Sequence, residues 1–197
     1  MKFRLFGTKI FISFPFCALL CLMLLLDRTG LALYTLIAVA LHEAAHLFAM
    51  YISDCAPVSV RLIPASVQIV RKPFVPDKKT VGIALSGPAA NLCVGLTALL
   101  NNALYGNEKV FLFAVINMAL GIFNLLPVCG LDGGTVFKLL LSKKIPPYKA
   151  ETALRMITAL FGAAALMAGI YFYTKKTVNL SFFITALYFL ICAAMGK

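Results

Sequence analysis

Charge is scarce in this sequence. Only 13% of its 197 residues are charged, 62% are hydrophobic and the mean hydropathy is +0.96. A soluble domain of this length needs far more polar surface, so a soluble globular protein is excluded, as is a separate soluble domain of ordinary size beside a membrane body. Acidic residues are scarcer still, 7 against 18 lysines and arginines, for a net charge of +11. That excess does not point to nucleic acid: the basic residues sit in short loops between apolar runs, and no basic helix or stripe emerges. CxxC pairs are missing. The six cysteines, Cys17, Cys21, Cys55, Cys93, Cys129 and Cys192, lie mostly in apolar runs and read as small buried hydrophobes rather than a disulfide framework. There is no internal repeat and no low-complexity segment. No small-x-small cleavage site follows Leu26, where the chain continues Asp27-Arg28-Thr29-Gly30, so the first apolar run is expected to be retained rather than removed as a signal peptide.

What the sequence has is long apolar runs. A membrane-spanning helix needs about 20 residues, and six runs approach that length: 10–26, 31–52, 81–105, 109–127, 154–173 and 179–196, with a shorter segment, 132–142, continuing the fourth as a broken helix. The expected fold is an all-α polytopic membrane protein with about six transmembrane helices. It forms a single membrane-embedded domain over 1–197, with its core at about 31–142, the first helix at 10–26 and two C-terminal helices beyond. With the N-terminus inside, the inner segments hold 14 of the 18 basic residues and the outer loops only Arg28, Lys109, Lys175 and Lys176. This bias predicts a multi-pass protein of the cell membrane with both termini cytoplasmic. The longest connection, 53–80, carries Pro57 to Lys72, PVSVRLIPASVQIVRK. Its alternation predicts two short strands around Pro64-Ala65-Ser66, a small β-hairpin after the second helix.

The two histidines of the chain fall in one apolar run, in His42-Glu43-Ala44-Ala45-His46. Four residues apart on a helix, their imidazoles share a face and can hold one zinc ion, with Glu43 placed to take a proton from the attacking water. Ionisable groups inside a membrane are costly and usually functional, which weighs against a chance packing of two histidines and a glutamate. A catalytic zinc takes three protein ligands and keeps one position open. Of the other acidic residues, Asp27, Asp54, Asp77, Glu108 and Glu151 lie in loops or near helix ends, leaving Asp132 in Leu131-Asp132-Gly133-Gly134 as the third ligand. At a helical rise of 1.5 Å per residue, His42 and Asp132 each lie roughly 15 Å, and His46 roughly 9 Å, from the cytoplasmic ends of their segments. Asn91, in Ser86-Gly87-Pro88-Ala89-Ala90-Asn91, reaches a similar depth and needs partners there. Asn124 is similar. Pro127, Gly130, Gly133 and Gly134 predict an unwound stretch around Asp132, tolerated at membrane depth only inside protein or beside water.

These residues resemble the site-2 protease family of intramembrane metalloproteases over most of 9–142. Its H-E-x-x-H is matched by His42, Glu43 and His46, its N-x-x-P…L-D-G by Asn124, Pro127, Leu131, Asp132 and Gly133, and its G-P-x-x-N by Gly87, Pro88 and Asn91. Ser13-Phe14-Pro15-Phe16 and Val60-Arg61-Leu62-Ile63-Pro64 are similar to the compact branch that processes sporulation pro-sigma-factors. Ala65-Ser66 stand where a Gly-Gly pair is common, and Cys129 where many members have a second proline. The resemblance implies Zn2+ held by His42, His46 and Asp132, Glu43 as catalytic base, and substrate-binding or supporting roles for Asn91, Asn124, Pro127 and Gly133. It implies a membrane-tethered protein or peptide as substrate, the lipid bilayer as surroundings and room for a regulatory membrane partner, with no nucleic acid.

Two alternatives stay open at this point. A non-catalytic zinc-binding or transport protein would need the histidines and Asp132 but not Glu43. The lack of ionisable groups in the outer half of the membrane speaks against transport. Another class of H-E-x-x-H membrane protease would take a downstream glutamate, Glu108 or Glu151, as third ligand, and both lie in loop regions.

Overall fold

The computed structural model describes residues 2–5, 8–57, 59–63, 66–70, 76–175 and 180–195. They resolve into two compact units, Met1–Phe123 and Asn124–Lys197.

The first unit opens with two strands, β1 (Lys2–Leu5) and β2 (Thr8–Ile12), and helix α1 (Phe14–Leu26). Residues 10–12, expected within the first helix, are therefore strand. Thr8, Ile10 and Ile12 are β-branched and suit a strand, but what fixes them is remote: β2 pairs in parallel with β3 (Ser59–Ile63), placing Ile10 beside Val60. With β4 (Ser66–Val70) they form a four-stranded sheet in the order β1-β2-β3-β4. The predicted hairpin is present as β3 and β4, which pair antiparallel. Its Pro64-Ala65 turn lies outside the described residues. The expected all-α fold with one hairpin thus gains two strands.

α1 starts where Ser13 accepts a hydrogen bond from the Phe16 amide (3.3 Å) and Pro15 occupies the first turn. It is apolar all round and none of its residues is buried within the chain, the pattern of a helix whose surroundings are themselves apolar. Asp27 ends α1 and begins α2 (Leu31–Ile52). Its carboxylate accepts from the Thr29 hydroxyl (2.8 Å) and from the amides of Thr29, Gly30 and Ala32, satisfying donors at the start of α2 that its own cap, Gly30, cannot.

α2 buries Ala38, His42, His46 and Met50, one residue per four. α3 (Asp77–Tyr105) buries Ile83, Gly87, Asn91 and Gly95 at the same interval. Two such ridges interlock along their length. At one end Lys79 Nζ donates to the Ser53 carbonyl that follows α2 (2.7 Å). α4 (Glu108–Asn124) lies against α3 through small residues: a Cβ on Gly95 would strike Met118, and one on Gly121 would strike Leu92 and the Pro88 carbonyl.

The second unit contains α5 (Asp132–Leu141), α6 (Pro147–Thr174) and α7 (Leu180–Met195). α6 and α7 pack antiparallel, Gly162 meeting Phe189 and Leu190, and Gly169 meeting Phe182 and Phe183. The Lys138–Glu151 ion pair (2.9 Å) ties α5 to α6. Among the described residues three helices, α2, α3 and α6, are long and apolar enough to cross a membrane, while α1 and α7 are shorter apolar helices. Of the six expected spans, three meet that length and composition. Irregular backbone at 125–131 separates α4 from α5, as the prolines and glycines predict. All six cysteines are free; Cys55 and Cys129 are buried as expected, whereas Cys21 and Cys93 are exposed on apolar helices.

Candidate metal centre

His42 and His46 lie on the buried ridge of α2, each 6% exposed, so both rings are shielded within the protein. Their Nδ1 atoms are spoken for. His46 Nδ1 lies 2.7 Å from the Ile83 carbonyl, an acceptor only, so this nitrogen carries the proton and donates. Ser86 Oγ donates to the same carbonyl (2.7 Å) and sits 3.3 Å from His46 Nδ1. His42 Nδ1 lies 2.7 Å from Asn91 Oδ1. The orientation of that amide is fixed from behind, because Asn91 Nδ2 donates to the Ala38 carbonyl (3.0 Å) and to Asn117 Oδ1 (2.9 Å), leaving Oδ1 to face the ring. Asn117 Nδ2 in turn donates to the Phe113 carbonyl (2.9 Å).

With both Nδ1 atoms donating, the neutral rings present their Nε2 lone pairs, and these nitrogens are 3.1 Å apart. Two lone pairs facing each other at that distance repel unless a cation shares them. Orienting histidine ligands through the opposite ring nitrogen is how zinc sites fix the tautomer. Gly87 makes the room: a Cβ there would lie against both Nε2 atoms, 2.7 Å from that of His42.

Asp132 opens α5, after Leu131 in extended backbone (φ −103°, ψ 161°). The stretch before it is tightly folded. Val128 N donates to the Leu126 carbonyl (2.8 Å), Leu131 N to the Val128 carbonyl (3.2 Å), and Gly130 sits at φ 86°, where a side chain is strained. Gly133 and Gly134 are packed against the carbonyls of Leu125, Leu126 and Val128 so closely that no Cβ fits at either. This is why glycine follows the aspartate twice.

Among the described residues, His42 and His46 of the first unit and Asp132 of the second are candidates to hold a metal ion. Two imidazoles and a carboxylate are a donor set that zinc accepts with a fourth position left open, so the residues present fit the ion. Glu43 is half-buried next to His42 on α2, and Asn124, half-buried, is the last residue of α4. Pro127 is half-buried in the irregular stretch, Gly133 is buried, and Asn91 is completely buried. The sequence reading passed over Asn117, also completely buried. Its signal was available: an amide within the apolar run 109–127, as costly to bury unpartnered as Asn91 or Asn124. It passed over Thr158 as well, whose role needs the tertiary contact described below.

Residues 102–165 match the model of peptidase family M50. A zinc metalloprotease of Methanocaldococcus jannaschii is 25% identical over 143 residues, covering 66% of this chain and 42% of its own length. The chain therefore spans about two-fifths of that curated relative. The solved structure of a site-2 protease from Methanocaldococcus jannaschii superposes with a TM-score of 0.69 at 19% identity, covering 100% of this chain and 94% of that one, and so shares its fold. The chain thus resembles peptidase family M50 over residues 102–165 and a zinc metalloprotease over 143 residues, and it shares the fold of a site-2 protease.

Proposed function

We propose that the chain is an intramembrane zinc metalloprotease that hydrolyses peptide bonds of membrane-tethered proteins or peptides. The observation that carries this reading is the pair of imidazoles with both Nδ1 atoms engaged and both Nε2 atoms turned to one point. His42, His46 and Asp132 would hold a zinc ion, which when bound would supply Lewis acidity and lower the pKa of a water. Glu43, beside His42, takes a proton from the attacking water. The water oxygen bonds to the scissile carbonyl carbon, the C–N bond breaks, and Glu43 returns the proton to the leaving amine. Asn91 holds His42 in its ligating tautomer. Pro127 and Gly133 keep the chain around Asp132 in its folded course, and Asn124 contacts substrate.

A transmembrane substrate arrives as a helix and must unwind before its carbonyl can be attacked. β4, at one end of the strand order, offers backbone on which an extended segment can lie. The reading fits regulated intramembrane proteolysis, for example of a sigma-factor or anti-sigma-factor precursor, with room for a regulatory membrane partner. α2, α3 and α6 cross the bilayer, and α1, α4 and α7 complete six crossings of one protease domain with both termini cytoplasmic, in accord with the charge bias of the loops.

Glu43→Gln tests the reading. The variant binds zinc as the wild type does and loses cleavage of a membrane-tethered substrate by a factor of about 100 or more, the scale of general acid–base catalysis. Retained turnover refutes the assignment. The same inactive variant, expressed in its native membrane, traps the substrates and identifies them.

A further inference from the structure

α6 and α7 lie beyond the sequence motifs, yet α6 reaches back to the segment that delivers Asp132. Thr158, on α6, is completely buried. Its hydroxyl donates to the Leu154 carbonyl one turn earlier (2.8 Å), so its proton is committed and its lone pairs face away from its own helix. There Oγ1 accepts the backbone N–H of Cys129 (2.9 Å), also buried. Cys129 falls within the turn closed by the Leu131-to-Val128 hydrogen bond, and Asp132 follows at once. A second contact arrives from α7: a Cβ on Gly130 would lie 2.7 Å from the Tyr188 hydroxyl. Irregular backbone inside a membrane protein must find such partners, since water is not at hand.

We propose that Thr158 is a positioning residue for the metal centre: by accepting the Cys129 amide it fixes the turn from which Asp132 projects, making α6 part of the ligand-bearing apparatus. The inference rests on the reading of Asp132 as a zinc ligand. A carboxylate ligand whose backbone is held binds with less ordering cost than one on a mobile turn, and partners of this kind typically govern metal affinity by 10- to 100-fold.

The test uses the full chain in detergent, zinc as the probe and a competing chromophoric chelator as the readout, with Co2+ absorption as a signature of ligand geometry. Thr158→Val keeps the volume and removes the acceptor. It weakens zinc binding by about 10-fold or more and alters the Co2+ spectrum. Thr158→Ser, which restores the hydroxyl, returns both towards wild type. In an Asp132→Ala background Thr158→Val causes no further loss, because the two substitutions act through one ligand. Should the valine variant fail to accumulate, Thr158→Cys, which keeps a weak acceptor at similar volume, is expected to give an intermediate loss. Wild-type affinity in Thr158→Val, or in its cysteine substitute, overturns the inference, as does an equal loss in the Asp132→Ala background. A wild-type chain that binds no zinc overturns the metal reading itself.

Discussion

The tautomer of His42 is decided by a chain of two asparagines, Asn91 and Asn117. Asn117 Oδ1 and the Ala38 carbonyl take both Nδ2 hydrogens of Asn91, so the amide presents oxygen, and His42 must donate from Nδ1. Asn117→Leu removes that constraint and lets the amide turn. Zinc affinity is expected to fall about 10-fold, measured by chelator competition, with stability lowered by about 1–3 kcal/mol for the amide left short of a partner. At the surface, Asp27 sets a pH dependence. The Thr29 hydroxyl first, then the amides of Thr29, Ala32 and Gly30, hold its carboxyl below the usual aspartate value. A group depressed in the folded state contributes stability that is present above its unfolded pKa, about 3.9, and is lost as pH falls through its lower folded value. The melting temperature of wild type in detergent therefore exceeds that of Asp27→Asn at pH 6, and the difference closes as pH is lowered below about 4. A constant difference down to pH 2 removes the carboxylate from the account.

At the scale of the element, helices here are spaced by what they must admit. Alanine in place of glycine ordinarily stabilises a helix interior by up to about 1 kcal/mol. At Gly87 the added methyl meets the two ring nitrogens instead. Gly87→Ala is expected to retain the fold in detergent, by circular dichroism and melting, and to lose zinc affinity by more than about 10-fold, since the rings must turn aside. Unchanged zinc binding shows that the rings have room the structure does not give them. The same logic governs the start of α5, where Gly133 and Gly134 admit the carbonyls of Leu125, Leu126 and Val128. There backbone meets backbone, and nothing can swing away.

At the scale of the whole molecule, the proposed donors, His42, His46 and Asp132, lie far apart in sequence, so an ion that binds all three binds only the folded chain. A ligand specific for the native state stabilises it by RT ln(1 + [L]/Kd), about 4 kcal/mol at a thousandfold excess over Kd. Chelation is expected to lower the wild-type melting temperature by several degrees and to leave Asp132→Ala, already deprived of one donor, much less changed. An identical shift in both proteins excludes Asp132 from the ligand set.

The sequence alone determined the membrane character, the ridge of two histidines, the glutamate between them, the aspartate after a broken helix and the amide of Asn91. Each is a local fact: hydropathy averaged over a run, a four-residue spacing, or a polar group too costly to bury idle. Tertiary structure decided what no local pattern carries. Residues 8–12 extend because β3, some fifty positions away, offers a parallel partner. Asn117 matters because α4 brings its oxygen to Asn91, and Thr158 because α6 brings its hydroxyl to a backbone amide that has no partner in its own turn. Hydrogen bonds between segments distant in sequence leave no periodicity to read, and only the folded chain reveals which polar groups meet.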